Sequence, residues 1–154
     1  MTKQILFVLM LLLSIVAKAQ SADALYEEGK KLYDQKKYTE AIKKLLPAAH
    51  QGHKRAQYRM GRCHDKGHGV KEDNKLARQW YEKAAAQGHA KSQYQLGKCY
   101  LKGKGCKKDA TLAKTWLLKA IKNPNGGDKV LEKIQEDAAD GDKDAIAMKK
   151  LIGK

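Results

Sequence analysis

An internal repeat constrains this chain more than any other feature of its sequence. Sliding the 154-residue sequence by 36 positions superposes identical residues, among them Trp80 on Trp116, Cys63 on Cys99, and Gly67-x-Gly69 on Gly103-x-Gly105. Self-similarity at a fixed period of about 20 to 50 residues is the signature of solenoids and other repeat arrays. The chain is therefore predicted to be a stack of similar units.

Each unit is predicted to be an antiparallel pair of helices. Ala56 and Met60 in one segment, and Trp80 and Ala84 in the next, recur at the spacing that places residues on one helix face. The Gly-x-Gly motif suits the left-handed backbone that ends a helix, and Asp73 suits the cap of the next helix. Such a hairpin buries its remaining apolar edge by stacking on a neighbour, which predicts an all-α solenoid.

Four units are predicted along the chain. They occupy residues 20–53, 54–89, 90–123 and 124–154, and the last is a degenerate C-terminal hairpin or pair of capping helices. In the first unit the offset shrinks to 32, because four loop residues are missing. Helices at 128–139 and 143–152 around Gly141 complete a predicted total of about eight.

The repeated positions resemble those of the Sel1-like repeat family, which is related to tetratricopeptide repeats. The family pattern is LG-x2-Y-x2-G-x-GV-x2-D-x2-KA-x2-WY-x-KAA-x2-G. Unit two matches it with Met60-Gly61, His64, Gly67-x-Gly69-Val70, Asp73, Leu76-Ala77, Trp80-Tyr81, Lys83-Ala84-Ala85 and Gly88. Unit three follows the same pattern but has Cys106 in place of the valine, and unit one lacks the Gly-x-Gly-Val insert. The resemblance implies a right-handed superhelical solenoid that binds other proteins.

The N-terminus has the features of a secretory signal peptide. Lys3 precedes a nearly continuous apolar run from Ile5 to Val16, and Ala17-Lys18-Ala19 supplies a small-x-small cleavage pattern. The run is shorter than the ~20 residues that a membrane-spanning helix needs. We therefore predict a signal peptide over 1–19, and an exported protein, periplasmic or secreted, with no membrane span after cleavage.

The charge of the chain predicts anionic partners. The formal net charge is +15, and residues 20–127 hold 24 Lys and Arg against 10 Asp and Glu. Residues 128–154 are nearly neutral, with 6 against 7. A basic field attracts acidic proteins or peptides, and also anionic polymers of the cell envelope. Export argues against nucleic acid as the partner.

The best candidate for a binding surface lies on the first helix of each unit. In tetratricopeptide-like units these helices line the concave surface, which implies a basic, tyrosine-lined groove for an acidic peptide. The candidate residues are Tyr26, Lys30, Arg55, Tyr58, Arg62, Lys91, Tyr94 and Lys98. Independently of the family, Arg55, Tyr58 and Arg62 have the spacing of one helix face. The alternative is a solvated basic surface that keeps the protein soluble, or a surface that binds anionic glycan or lipid by diffuse charge.

The cysteines leave the pattern of disulfides open. Export would place Cys63, Cys99 and Cys106 in an oxidising compartment, and at least one of the three has no partner within the chain. A bridge between Cys63 and Cys99 is disfavoured, because their helices are neighbours in the stack at ~9–10 Å between axes. A bridge between Cys99 and Cys106, which are joined through a loop, is easier to form.

Neither a metal site nor an active site is predicted. Cys63, His64 and His68 lie close together, but no complete set of ligands with metal-binding spacing accompanies them. The chain has no Ser-x-x-Lys and no Gly-x-Ser-x-Gly motif. Some cysteine-rich relatives have been linked to β-lactamase activity, but their cysteine pattern is missing here. We predict a non-enzymatic protein without a cofactor, in which Trp80 and Trp116 belong to the core.

Overall fold

The computed structural model describes residues 3–5 and 20–153, and the regular structure in these ranges is helical. The helices after residue 20 are α1 (Ala22–Asp34), α2 (Tyr38–His50), α3 (Lys54–Lys66), α4 (Asn74–Ala86), α5 (Ala90–Lys102), α6 (Ala110–Ile121), α7 (Gly127–Ala139) and α8 (Lys143–Ile152). Apart from residues 3–5, the predicted signal peptide at 1–19 lies outside the described ranges. In these ranges no helix has both the length and the apolar character needed to cross a bilayer.

Successive helices pair into hairpins, and the hairpins stack. Helices α1 and α2, α3 and α4, α5 and α6, and α7 and α8 pack against each other, while α2 packs on α3 and α4 packs on α5. This confirms the predicted all-α solenoid of helical hairpins. The two helices predicted in the C-terminal region are present as α7 and α8. The first hairpin loop is four residues shorter than the second, and Lys36 adopts a left-handed backbone there, with φ of 62°.

Aspartate side chains cap the starts of three helices, and Asp73 is the cap that the sequence predicts. Asp73, Asp109 and Asp142 each accept a hydrogen bond from the backbone amide three residues later, at 2.9, 2.8 and 2.8 Å. These bonds satisfy amides that have no partner within the helix. Gly67 and Gly103 end α3 and α5 in the left-handed conformation, with φ of 66° and 73°.

The second glycine of each Gly-x-Gly motif has a role that the sequence did not reveal. Gly69 lies against the start of α2, where an added Cβ would come within 2.8 Å of the Tyr38 carbonyl carbon. Gly105 lies in the same way against the start of α4, and an added Cβ would overlap the carbonyl oxygen of Asn74. The Gly-x-Gly loops of the second and third units therefore pack directly on the backbone of the preceding unit.

A repeated set of buried amide side chains also joins the units. Gln57 is buried, donates to the Ala49 carbonyl at 3.1 Å and accepts from Gln87 at 2.8 Å. Exactly one period later Gln93 occupies the place of Gln57, and Asn123 donates to it at 3.0 Å. These bonds satisfy backbone groups where one hairpin meets the next.

The two tryptophans differ in burial, which corrects one prediction. Trp80 belongs to the core cluster that the first and second units share, and its ring meets that of His50 edge-on, with centroids 5.5 Å apart. Trp116 is only half-buried, and the ammonium of Lys119 lies 4.5 Å from the centre of its ring. One period after His50 the chain has Ala86. This methyl side chain is too small to cover the indole of Trp116 in the way that His50 covers that of Trp80.

Candidate functional site

The residues predicted to bind a partner all lie on α1, α3 and α5, and we call the surface that these helices form the first-helix face. Its tyrosines are placed differently from the prediction. Tyr26 and Tyr94 are buried, with 7% and 5% of their surface exposed, and Tyr58 is partly buried. The expectation that a row of tyrosines offers open contact area is therefore wrong for Tyr26 and Tyr94.

The tyrosine side chains pack the junctions between units instead. Tyr26 stacks on His53 with ring centroids 4.4 Å apart, and Tyr58 lies 5.0 Å from His89 in the equivalent pair. Tyr94 packs in the C-terminal hydrophobic cluster. Residues that pack in the core and residues that contact a partner can both recur at the repeat period. The sequence therefore could not show which of these two roles the tyrosines have.

The basic residues of the first-helix face remain accessible. Arg55 and Lys91 are exposed, and Arg62 and Lys98 are partly exposed. Within residues 20–153 none of these four side chains forms an ion pair, whereas Lys30 lies 4.0 Å from Glu27. Lys98 lies over the ring of Tyr94, with its nitrogen 5.6 Å from the ring centre. The face thus carries cations whose charge is not neutralised by a neighbouring carboxylate.

Burial and the cations of the first-helix face together lower the pKa of a nearby histidine. His89 is partly buried at the start of α5, and burial together with the charges of Lys54, Lys91 and Arg55 lowers its pKa to about 4. His89 is therefore neutral at physiological pH, and its Nδ1 lies 2.8 Å from the hydroxyl of Ser92. Lys54 is a member of this basic group that the helix-face pattern did not single out.

Arg62 occupies an unusual polar environment in the middle of the face. It lies beside the hydroxyls of Tyr58, Tyr33 and Tyr81; burial opposes its charge, but these hydroxyls outweigh that effect and raise its pKa. The Nε of Arg62 and the hydroxyl of Tyr81 are buried and have no hydrogen-bond partner in the structure as described. The exposed part of the Arg62 guanidinium can bind a carboxylate with charge-assisted hydrogen bonds, whereas the hydroxyl of Tyr81 is too deeply buried to reach a partner.

Acidic residues of the same helices pair across the units. Asp23 lies 3.1 Å from His53, and Asp34 lies 3.2 Å from the guanidinium of Arg59. Asp65 pairs with Lys104 at 2.7 Å. These carboxylates pair between neighbouring units, and none of them forms an ion pair with Arg55, Arg62, Lys91 or Lys98.

The residues considered for metal binding or catalysis have packing roles. The ring of His68 stacks on Tyr38 at 4.1 Å, and its Nδ1 lies 3.0 Å from the hydroxyl of Tyr33. Ser92, the serine beside His89, is completely buried. In residues 3–5 and 20–153, no three His, Cys, Asp or Glu side chains come together as a metal site.

The stacked hairpins and the basic first-helix face define a helical-repeat protein of the solenoid class. The Sel1 repeat family matches residues 54–89 and 90–125. The crystal structure of a Sel1 repeat protein from Oxalobacter formigenes is similar, with a TM-score of 0.65 and 34% identity, over 82% of this chain and 54% of that one. A protective antigen of uropathogenic Escherichia coli with an SLR fold has a TM-score of 0.66 and 29% identity, over 90% of this chain and 31% of that one.

The chain is thus a Sel1-repeat protein, a member of a tetratricopeptide-like group of helical repeats. It spans about half the length of the Oxalobacter chain and about a third of the Escherichia coli antigen. No curated protein matches it. Sel1 repeats are generally protein-interaction modules, and their fold is typically a non-catalytic scaffold.

Proposed function

We propose that this protein is an exported, non-enzymatic interaction module that binds an acidic protein segment on its first-helix face. The observation that carries the proposal is a set of four exposed or partly exposed cations that form no ion pair within residues 20–153, namely Arg55, Arg62, Lys91 and Lys98. A partner that supplies carboxylates to them would replace water with charge-assisted hydrogen bonds, and guanidinium groups bind carboxylates in a bidentate geometry.

The buried tyrosines support this proposal in a different way from the one expected. Because Tyr26, Tyr58 and Tyr94 pack at the unit junctions, they fix the backbone positions of the first helices. Cations on rigid helices lose less conformational freedom on binding than cations on loops. The proposed groove is therefore basic at its surface and aromatic beneath it.

The proposed location is outside the cytoplasm, either in the periplasm or in the medium. The support is the sequence of the N-terminus, where an apolar run from Ile5 to Val16 is followed by Ala17-Lys18-Ala19. Cell-envelope proteins are then the natural source of partners.

A capture experiment tests the proposal. The chain is immobilised and exposed to a cell-envelope extract at low and at high salt, beside the double variant Arg62→Ala/Lys98→Ala. The matched control is Lys43→Ala/Lys114→Ala, which removes the same charge from exposed positions on α2 and α6.

We expect one acidic protein to be retained at high salt by the parent chain and by the control, and to be lost by the first-helix variant. Capture that disappears with salt equally for all three proteins would instead indicate diffuse binding of anionic glycan or lipid. That result would refute the groove.

A further inference from the structure

In the third unit the side chain of Cys106 contacts the backbone of Cys99. The sulfur of Cys106 lies 3.6 Å from the carbonyl oxygen of Cys99 and 3.7 Å from that of Lys104. Cys99 lies on α5 with 5% of its surface exposed, whereas Cys106 lies in the following loop and is partly exposed. Both residues are thiols in the structure.

The loop backbone is what brings these residues together. Gly103 and Gly105 both adopt left-handed conformations, with φ of 73° and 69°. The amide of Lys104 donates to the Cys99 carbonyl at 2.9 Å, and the loop therefore folds back over the last turn of α5. Residue 106 is held beside residue 99 by the same backbone motif that recurs through the repeats.

The second unit provides an internal comparison. Cys63 is equivalent to Cys99, and Gly67 and Gly69 bend its loop in the same way. The residue equivalent to Cys106, however, is Val70. The chain thus repeats the helix cysteine but provides a loop partner for it only in the third unit.

We propose that Cys99 and Cys106 form an intramolecular disulfide and that Cys63 stays a thiol. This proposal depends on the proposed export in one respect: export would bring the protein to an oxidising compartment, where the bond can form in the cell. The two thiols lose two protons and two electrons, and an oxidising disulfide of a thiol-exchange protein or of glutathione is reduced to two thiols. The bond closes an eight-residue segment and fixes the loop that seats on α4.

The environment of the thiols determines when the bond forms. Burial raises the pKa of Cys99 to about 12 and also raises the pKa of the Cys106 thiol. The thiolate is the nucleophile of disulfide exchange, so the folded, reduced protein reacts slowly. The bond is expected to form during folding, before α4 and α5 enclose Cys99.

A peptide map tests the pairing. The full chain is reduced and unfolded, refolded in a buffer of reduced and oxidised glutathione, alkylated and digested with trypsin. Cleavage after Lys98, Lys102, Lys104 and Lys107 places the two cysteines in separate peptides, 99–102 and 105–107. We expect these peptides to be recovered as one disulfide-linked species, with Cys63 alkylated. Alkylation of all three cysteines, or a bond that includes Cys63, would overturn the proposal.

Two variants complete the test. Val70→Cys places a second loop cysteine beside Cys63, and we expect it to gain a 63–70 bond under the same conditions. Cys106→Val restores the repeat's usual residue, and its melting temperature should lie several degrees below that of the oxidised parent and equal that of the reduced parent. An oxidised parent that melts at the same temperature as Cys106→Val would contradict the bond.

The same map of protein isolated from a bacterial periplasm separates this proposal from the proposed export. A chain that is not exported but forms the 99–106 bond in glutathione buffer refutes export alone. A chain that is exported and keeps three thiols refutes the disulfide alone.

Discussion

The seating of each Gly-x-Gly loop on the preceding unit predicts a large difference between two glycine substitutions. Gly105 and Gly88 both have positive φ, 69° and 73°, so alanine at either position is strained by about 1 kcal/mol. No atom of residues 3–5 or 20–153 lies within 4 Å of an added Cβ at Gly88. At Gly105 the Cβ would overlap the Asn74 carbonyl oxygen and would lie 2.8 Å from the amide of Lys75.

Relief of that overlap requires the loop to move away from α4. The movement would also break the hydrogen bond from Arg78 to the Gly105 carbonyl, which is 3.1 Å long. Overpacking of this kind costs a further 1–3 kcal/mol or so, which gives a total of about 3 kcal/mol for Gly105→Ala against about 1 kcal/mol for Gly88→Ala.

Urea unfolding followed by circular dichroism measures both free energies of unfolding, because the midpoint falls in proportion to the lost stability at constant m-value. Equal losses of stability in the two variants would show that the loop does not seat on α4, and the account of unit stacking would be wrong.

Three further outcomes follow from the buried polar groups. Tyr81→Phe removes a buried hydroxyl that has no partner in the described structure, so unfolding should require about 1 kcal/mol more free energy, and a loss of stability in urea would contradict this. Gln57→Leu removes one hydrogen bond from the Ala49 carbonyl, which still accepts from the Gly52 amide, and one from the Gln87 amide, which still donates to the Gly52 carbonyl. It should cost about 1 kcal/mol in the same assay, where no change would refute the bridging role. The pKa of His89 is lowered from 6.5 to about 4, so the unfolded chain binds the proton more tightly and stability rises with pH across this interval. The parent should be roughly 1–2 kcal/mol less stable at pH 5 than at pH 7.5, and His89→Gln should reduce that difference; an unchanged pH profile would exclude the effect.

The fold was largely predictable because the residues that begin, end and pack the helices occur in the second unit and again 36 residues later in the third. Asp73 and Gly67 could be assigned as cap and terminator from their residue types alone, and the structure places both in those roles. The roles of Gly69 and Gln57 could not be assigned, because each acts on the backbone of another unit. A sequence pattern reports the periodicity of one helix, whereas these contacts depend on how two hairpins are placed.

The candidate site was predicted less well than the fold. The helix-face pattern grouped Arg55, Arg62, Lys91 and Lys98, and the structure places them on α3 and α5, where they are exposed or partly exposed. It did not separate these cations from Tyr26 and Tyr94, since a helix residue at the edge of the buried face has the same spacing as one that contacts solvent. Trp116 differs from Trp80 for a related reason: burial depends on the neighbour at position 86 or 50, and not on the repeat position itself.

The central claim is that the cations of α3 and α5 bind an acidic segment as a specific surface. Isothermal titration calorimetry tests it most directly, with a synthetic peptide of the captured partner's acidic segment and with the parent chain and both double variants. The account predicts that Arg62→Ala/Lys98→Ala weakens binding by about 2 kcal/mol or more, the scale of interface hot spots, while Lys43→Ala/Lys114→Ala has a much smaller effect. Equal weakening by the two double variants would contradict it, because binding would then follow net charge alone.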